Sequence, residues 1–179
     1  MTDPIVNTHR ELIEGAKAGI RKAQFRLYEL YVDAMYNVCL RIVRRREDAQ
    51  DVIQDCFVQA FTKLDQFRYE TTFGAWLKRI VINKSLNFLR DRKIVFEEWE
   101  PVDVASEVES DQPEPKQDLN KVKMAMGSLP EGQRQILNLY LVEGYDHVEI
   151  SEILNISTGT SKSQYSRAKK KLIEIVKTL

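Results

Sequence analysis

An acidic tract near the middle of this 179-residue chain constrains its fold more than any other feature. Residues 97–118 (EEWEPVDVASEVESDQPEPKQD) hold nine acidic side chains, one basic side chain and three prolines, without a helical or strand period. Such a tract buries few apolar groups, and its like charges repel one another. We therefore predict a flexible acidic linker over residues 96–118, with one domain at 1–95 and another at 119–179.

The net charge of zero conceals a segregation of charge along the chain. Residues 1–96 hold 17 basic and 12 acidic side chains, and residues 119–179 hold nine basic and six acidic ones. Two basic lobes thus flank the acidic linker. Composition leaves two interpretations of the linker open: a solvated, self-repelling spacer, or a mimic of nucleic acid that occupies a basic channel in a partner.

Several classes of protein are excluded at this point. No run approaches the roughly 18 uncharged apolar residues of a membrane span, and the N-terminus lacks a secretory pattern, so we expect a cytoplasmic protein. Cys39 and Cys56 lie in apolar periodic stretches without metal-ligand spacing, and we interpret them as small buried hydrophobic residues. Apolar residues recur at intervals of three and four in both lobes, which predicts an all-α protein of two small helical domains.

The clearest helix of the first lobe is predicted from Glu47 to Leu64. Its apolar residues form one face, and the opposite face carries a stripe of four polar side chains: Asp48, Asp51, Asp55 and Gln59. The stripe is either an ordinary solvated face, with its carboxylates complementing the helix N-terminus, or a docking surface for a basic partner.

A second helix is predicted from Thr72 to Asp91, with a core face of Phe73, Trp76, Leu77, Ile80, Val81 and Phe88. Arg79, Asn83 and Arg90 share another face, and residues 78–93 hold six basic groups, Lys78 among them, and one acid. This density suits a surface that neutralises phosphates and stacks exposed bases. We expect Phe67, in the tract before the helix, to be the ring available for stacking, and Phe73 and Trp76 to be core.

The second lobe contains a predicted helix-turn-helix. Pro130 suits a helix start and Gly144 a helix end, and a short helix at His147–Leu154 precedes the polar turn at 155–157. We expect His147 to be a helix-start or surface residue. In the last helix, from Thr158, the core side holds Tyr165, Ala168, Leu172 and Ser161. The opposite side holds Thr160, Ser163, Ser166, Arg167 and Lys170, with Lys162 at its edge. Hydroxyl and cationic side chains on one helix face can reach base edges and phosphates in a major groove, although a solvated Lys-rich helix end would look similar.

Three segments, in this order, resemble the sigma-70 family of bacterial RNA polymerase sigma factors. DAQDVIQDCFVQAF resembles the family's second region, and FRYETTFGAWLKRIVINKSLNFLRDRK resembles the segment that melts and reads the minus-10 element. LPEGQRQILNLYLVEGYDHVEISEILNISTGTSKSQYSRAKKKL is similar to the fourth region, which reads the minus-35 element. Two such domains without further ones resemble the extracytoplasmic-function (ECF) subgroup.

The resemblance implies roles for individual residues. Asp51, Gln54 and Asp55 would contact the clamp helices of the polymerase largest subunit, which favours the docking interpretation of the stripe and includes Asp48 beside them. Phe67, Lys78 and Asn83 would border a pocket for a flipped minus-10 base, with Lys63 on the backbone nearby. Thr160, Lys162, Ser163, Ser166 and Arg167 would face the minus-35 element. The linker would thread toward the active-site and RNA-exit channels of the polymerase.

Two departures from the family pattern limit what can be transferred. The family commonly has Val where this chain has Ser161, and Arg where it has Gln164. The first places a hydroxyl on the core side of the last helix, and the second removes a possible phosphate contact. Base preference at minus 35 therefore does not follow from the resemblance.

The resulting functional hypothesis is an ECF sigma factor that binds core RNA polymerase and directs promoter-specific initiation, restrained by an anti-sigma partner. The alternative is a stand-alone helix-turn-helix regulator, for which the sequence offers no dimerisation seam. An enzyme is disfavoured, since there is no nucleophile system, Gly-rich phosphate loop or metal spacing. We accordingly expect no catalytic residue, metal, cofactor or small-molecule substrate.

Overall fold

A computed structural model describes residues 9–96 and 117–179, which fall into two compact helical units, one on each side of the undescribed tract. Most of the predicted linker (96–118), from residue 97 to residue 116, lies outside the described residues. Its two ends are helical, contrary to the prediction, because Phe96 ends a helix of the first unit and Gln117 begins one of the second. The N-terminal unit contains α1 (Arg10–Lys17), α2 (Arg21–Val43), α3 (Arg46–Thr62), a 3-10 turn (Leu64–Gln66) and α4 (Phe73–Phe96). The C-terminal unit contains α5 (Gln117–Gly127), α6 (Glu131–Leu137), a π-helical turn (Asn138–Val142), α7 (His147–Leu154) and α8 (Thr158–Thr178).

The core of the N-terminal unit lies where α2, α3 and α4 pack together. Its fully buried side chains include Leu27 and Ile42 of α2, and Leu77 of α4. Cys39 and Cys56 are buried free thiols, as predicted. Burial raises the pKa of the Cys56 thiol to about 12, so the nucleophilic thiolate is scarce at neutral pH.

The core face of α4 differs in part from the predicted one. Phe73, Leu77 and Val81 are buried as expected, whereas Ile80 and Phe88 are only half-buried, as is Trp76. Three residues outside the predicted set are buried as well: Ile82, Ser85 and Leu86. Ser85 fits in the core because its hydroxyl donates to the carbonyl of Val81 at 2.8 Å, which satisfies a polar group that burial would otherwise penalise.

The helix-turn-helix of the C-terminal unit follows its capping residues. The Asp146 side chain accepts from the backbone N–H groups of Val148 and Glu149, and the Glu149 carboxylate accepts from Asp146 N–H, which forms a capping box at the start of α7. Asn155 ends α7 in the left-handed region at φ 55°, and Ser157 Oγ accepts from Thr160 N–H at 3.0 Å to start α8. Both predicted helices are confirmed.

The preceding helix is more irregular than predicted. α6 begins after Pro130 as expected, but from Asn138 it widens into the π-helical turn, and Gly144 follows at φ 79°. The core beneath is formed by Leu129, Leu137 and Ala168, with Tyr165 and Leu172 packed against it. Among the described residues, no helix has the length and apolar character that a membrane span requires.

Candidate polymerase and nucleic-acid interfaces

One face of α3 is open to solvent and combines carboxylates with an apolar side chain. Asp51, Gln54 and Asp55 are exposed, as predicted. Val58 lies on the same face and is 67% exposed, although valine is usually buried. Sequence reasoning missed Val58, but its position one turn beyond Gln54 could have revealed it. The resulting patch, Asp51, Gln54, Asp55 and Val58, is called the α3 face below.

Asp48 does not belong to this open face, and the prediction that it does is wrong. Its side chain is only 17% exposed, and its carboxylate forms ion pairs with Arg92 of α4 and Arg45 of the α2–α3 junction. At the start of α3, the carboxylate lies between the guanidinium group of Arg92, on the C-terminal half of α4, and that of Arg45, which directly precedes α3. Asp48 therefore joins α3 to α4.

If Asp48 joins α3 to α4, its substitution should affect stability but not binding to the polymerase. Asp48→Asn is expected to destabilise the packing of α3 on α4 by about 1 to 2 kcal/mol, between the values for exposed and buried ion pairs. Hydrogen exchange of the α3 and α4 amides would measure the loss, and core polymerase affinity would be unchanged. The matched variant Asp51→Asn should show the reverse, and equal affinity losses in both variants would contradict the assignment.

The acidic and basic surfaces of the N-terminal unit meet at one more ion pair. Lys84 of α4 contacts Asp55 at 3.3 Å, so part of the positive charge of residues 78–93 is balanced by α3. The polar side chains predicted to contact the minus-10 element differ in their exposure to solvent. Lys63, Asn83 and Arg90 are exposed, whereas Lys78 and Arg79 are half-buried.

Phe67 is buried, contrary to the expectation that its ring is available for stacking. Its exposure is 2%. Its ring centroid lies 4.8 Å from that of Tyr69, 5.4 Å from that of Trp76 and 5.7 Å from that of Phe73. The physical reason is the 3-10 turn at Leu64–Gln66, which the polar sequence did not reveal and which brings Phe67 against the start of α4. The Phe67 ring is thus packed in the core beneath residues 68–72 of the loop that runs from residue 67 to residue 72, called the 67–72 loop below.

Tyr69 belongs to the aromatic residues that the sequence places before the basic helix, but the sequence assigns it no separate role. Its backbone lies in the left-handed region at φ 59°, a conformation that costs a bulky residue roughly 1 to 2 kcal/mol. Its ring, only partly buried, lies beneath two cations of α1: Arg10, 5.0 Å from the centroid, and Lys17, 4.8 Å from it. Such a conformation persists only where the surrounding residues determine it.

The outward face of α8 is as predicted. The side chains of Thr160, Lys162, Ser163, Ser166, Arg167 and Lys170 are all exposed. Ser161 is fully buried, and its hydroxyl lies 2.9 Å from His147 Nδ1 at the first position of α7. His147 also stacks on Tyr140 and contacts Tyr165 edge-on. The unusual core hydroxyl is therefore satisfied by α7, which fixes the start of α8 against it.

Comparison with known proteins agrees with this arrangement. Residues 27–94 match the family model for Sigma-70 region 2, and residues 119–172 match the model for Sigma-70 region 4. The chain is 33% identical over 136 residues to the RNA polymerase sigma factor CnrH of Cupriavidus metallidurans, covering 70% of this chain and 71% of CnrH. It is 26% identical over 175 residues to the ECF RNA polymerase sigma factor SigW of Bacillus subtilis, covering 91% of this chain and 94% of SigW.

Solved structures of sigma factors, two of which follow, have a similar fold. The sigma factor RpoE of Bartonella quintana, solved in complex with the anti-sigma factor NepR, has a TM-score of 0.64 at 26% identity, covering 85% of this chain and 95% of that one. CnrH, solved in complex with the cytosolic domain of CnrY, has a TM-score of 0.58 at 26% identity, covering 94% of this chain and 97% of that one.

Proposed function

Since the chain belongs to the sigma-70 family and is an ECF RNA polymerase sigma factor, we propose which surfaces carry out each step of initiation. A sigma factor is a non-enzymatic subunit of RNA polymerase that directs transcription initiation. Because the chain belongs to this family, the hypotheses of a stand-alone regulator and of an enzyme are not pursued further. The observation that carries the assignment of surfaces is the exposure of three separate faces, on α3, α4 and α8.

The α3 face is proposed to bind the clamp helices of the polymerase largest subunit. Its carboxylates offer acceptors to basic side chains, and the exposed Val58 supplies an apolar centre of the kind found in protein interfaces. Charge complementarity would guide the encounter. Asp48 is left out of this proposal because its carboxylate is already bound to Arg92 and Arg45.

The outward face of α8 is proposed to enter the major groove of the minus-35 element. Arg167 can contact base edges, whereas Lys162 and Lys170 suit phosphates. The hydroxyls of Thr160, Ser163 and Ser166 can bond either. Each unit alone would bind DNA weakly, but docking on the polymerase raises the effective concentration of the second contact once the first has formed.

The basic side chains of α4, together with Lys63 at the end of α3, are proposed to open the minus-10 element. The exposed Lys63 and Arg90 and the half-buried Lys78 and Arg79 would neutralise phosphates. The exposed Asn83 would hydrogen-bond an unstacked base. The Phe67 ring is buried and packs against Tyr69 of the loop, so we do not assign Phe67 to stacking on a base. Capture of bases from the non-template strand then drives melting.

Asn83→Ala tests the minus-10 proposal. We expect about tenfold less opened promoter, equivalent to about 1.4 kcal/mol and within the range for loss of one base contact. Permanganate reactivity of unpaired thymines measures the opened fraction. Asn87→Ala, an exposed amide one turn further along α4, is the matched control and should open promoters normally. Equal opening by Asn83→Ala and wild-type protein would refute the role of Asn83.

An anti-sigma partner is proposed as the restraint on this chain. The support is that RpoE was solved in complex with the anti-sigma factor NepR, and that CnrH was solved with the cytosolic domain of a second protein, CnrY. Binding of this kind would compete with core polymerase, and the complex would form in the cytoplasm, where the polymerase acts. Affinity capture with the α3 face intact and charge-reversed would identify the partner and show whether it uses the same surface.

A further inference from the structure

Helix α1 precedes residues 27–94, which match the region 2 family model, yet it packs against α2 as part of the N-terminal unit. Ile13 and Ala16 are buried against α2. At Gly15 the two helices approach so closely that an added Cβ would lie 3.1 Å from the Cβ of Ala23. This close packing fixes α1 on α2, and polar side chains of α1 then reach the 67–72 loop.

Three side chains of α1 hold that loop. Lys17 Nζ donates to the carbonyl oxygen of Phe67 at 3.0 Å and also lies over the Tyr69 ring. The Tyr69 hydroxyl donates to Glu14 Oε1, and Glu14 is paired with Lys17 at 3.4 Å. Arg10 lies over the same ring. Backbone and side chain of the loop are therefore both fixed from outside it; these interactions are called the α1–Tyr69 contacts.

These contacts hold Tyr69 in the left-handed conformation. A tyrosine rarely adopts φ 59° on its own, because its Cβ crowds the backbone. The conformation persists when the surroundings determine it, and here those surroundings are Glu14, Lys17 and the ring of Phe67. Without them, the loop would relax to other conformations.

The protonation states favour the same geometry at physiological pH. Burial, followed by the hydrogen bond to Glu14, raises the pKa of Tyr69 to about 12. The hydrogen bond from Tyr69 lowers the pKa of Glu14. Tyr69 stays a neutral donor below its pKa, and Glu14 stays an ionised acceptor above its own. The contacts therefore persist throughout the neutral range.

We propose that α1 positions the 67–72 loop for the capture of an unstacked minus-10 base, with Glu14, Lys17 and Tyr69 as positioning residues. The inference rests on the proposed function of α4, because the loop leads directly into the face that carries Lys78 and Asn83. A loop already held in one conformation loses less entropy when it captures a base than one that must first be ordered. α1 would thus raise the opened fraction without touching DNA.

Four variants test the proposal in the full chain bound to core polymerase. Tyr69→Gly removes the ring at a position where glycine tolerates the positive φ, and Lys17→Met removes the ammonium. Each is expected to reduce the permanganate-reactive fraction about tenfold, with unchanged affinity for core polymerase. Glu14→Gln retains an acceptor for the Tyr69 hydroxyl and should restore most of the opening that Glu14→Ala loses.

A matched control is the pair Arg26–Glu29 on α2, which has the same i,i+3 spacing as Glu14–Lys17 and a 3.2 Å separation. Arg26→Met should leave promoter opening unchanged. Hydrogen exchange of the 67–72 amides provides a second readout that needs no promoter. It should accelerate in Tyr69→Gly, Lys17→Met and Glu14→Ala, but not in Arg26→Met.

The outcomes separate the two proposals. Faster exchange with unchanged opening would overturn the positioning role while leaving the minus-10 assignment of α4 intact. Increased opening would show that α1 obstructs the loop, which would also overturn the inference. Failure of wild-type protein to open any promoter with core polymerase would overturn the proposed function and the inference together.

Discussion

Replacing Asp51 and Asp55 with arginine is expected to abolish stable binding to core RNA polymerase while leaving the fold intact. Both carboxylates are exposed, so neither change disturbs the core. Arginines would face the basic surface to which the α3 face is proposed to bind, and like charges in contact cost several kcal/mol. We expect the dissociation constant to rise by about 100-fold or more, measured by titration of labelled sigma factor with core polymerase.

The control must reproduce the change in charge without altering the α3 face. Asp33 is an exposed carboxylate of α2 in the same unit, and Asp33→Arg should bind core polymerase normally. Because Asp55 also pairs with Lys84, Asp51→Arg alone separates docking from loss of that ion pair. Wild-type affinity in Asp51→Arg, or an equal loss in Asp33→Arg, would show that α3 is not the docking surface.

Arg167→Ala is expected to have the largest effect on minus-35 recognition. The guanidinium is exposed on the outward face of α8, and loss of a contact to a base edge costs about 1 to 3 kcal/mol. Transcription from the native promoter should therefore fall by roughly 5- to 150-fold. Its discrimination against scrambled minus-35 elements should fall as well, because only a base contact carries sequence information.

Two variants of the same helix separate reading of bases from general attraction to DNA. Lys162→Ala, at a proposed phosphate contact, should weaken binding to native and to scrambled minus-35 elements equally. It should also reduce the salt dependence of binding. Lys177→Ala, exposed in the last turn of α8, should have little effect on either. Retained discrimination in Arg167→Ala would assign sequence reading to other residues of the face.

The helix-turn-helix of the C-terminal unit is predictable from the sequence because local chemistry specifies it, whereas α5 and the π-helical turn are not. Asp146, Asn155 and Ser157 set the helix boundaries through their own side chains, so α7 and α8 follow from residues near them in sequence. The exposed face of α8 then follows from helical geometry alone. His147 was assigned only to the helix start or surface, because its contact with Ser161 joins two helices and depends on their packing.

The errors in the N-terminal unit come from contacts between residues distant in sequence. The helical angle of Asp48 predicts an open stripe, but Arg92, 44 residues later, binds its carboxylate. The absence of periodicity around Phe67 predicts an exposed ring, whereas the aromatic cluster of Phe73 and Trp76 encloses it. Helical angles predict which way a side chain leaves its own helix, not which element it meets.

The most direct test of the central claim is in vitro transcription by this chain and bacterial core RNA polymerase on a library of genomic fragments. In gel filtration of the mixture before transcription, we expect the chain to co-elute with core polymerase. We then expect discrete start sites, each preceded by shared minus-10 and minus-35 elements. Core polymerase alone should produce none of them. Failure to co-elute, together with tight DNA binding by the isolated chain, would contradict the account and indicate a regulator that acts without docking on the polymerase.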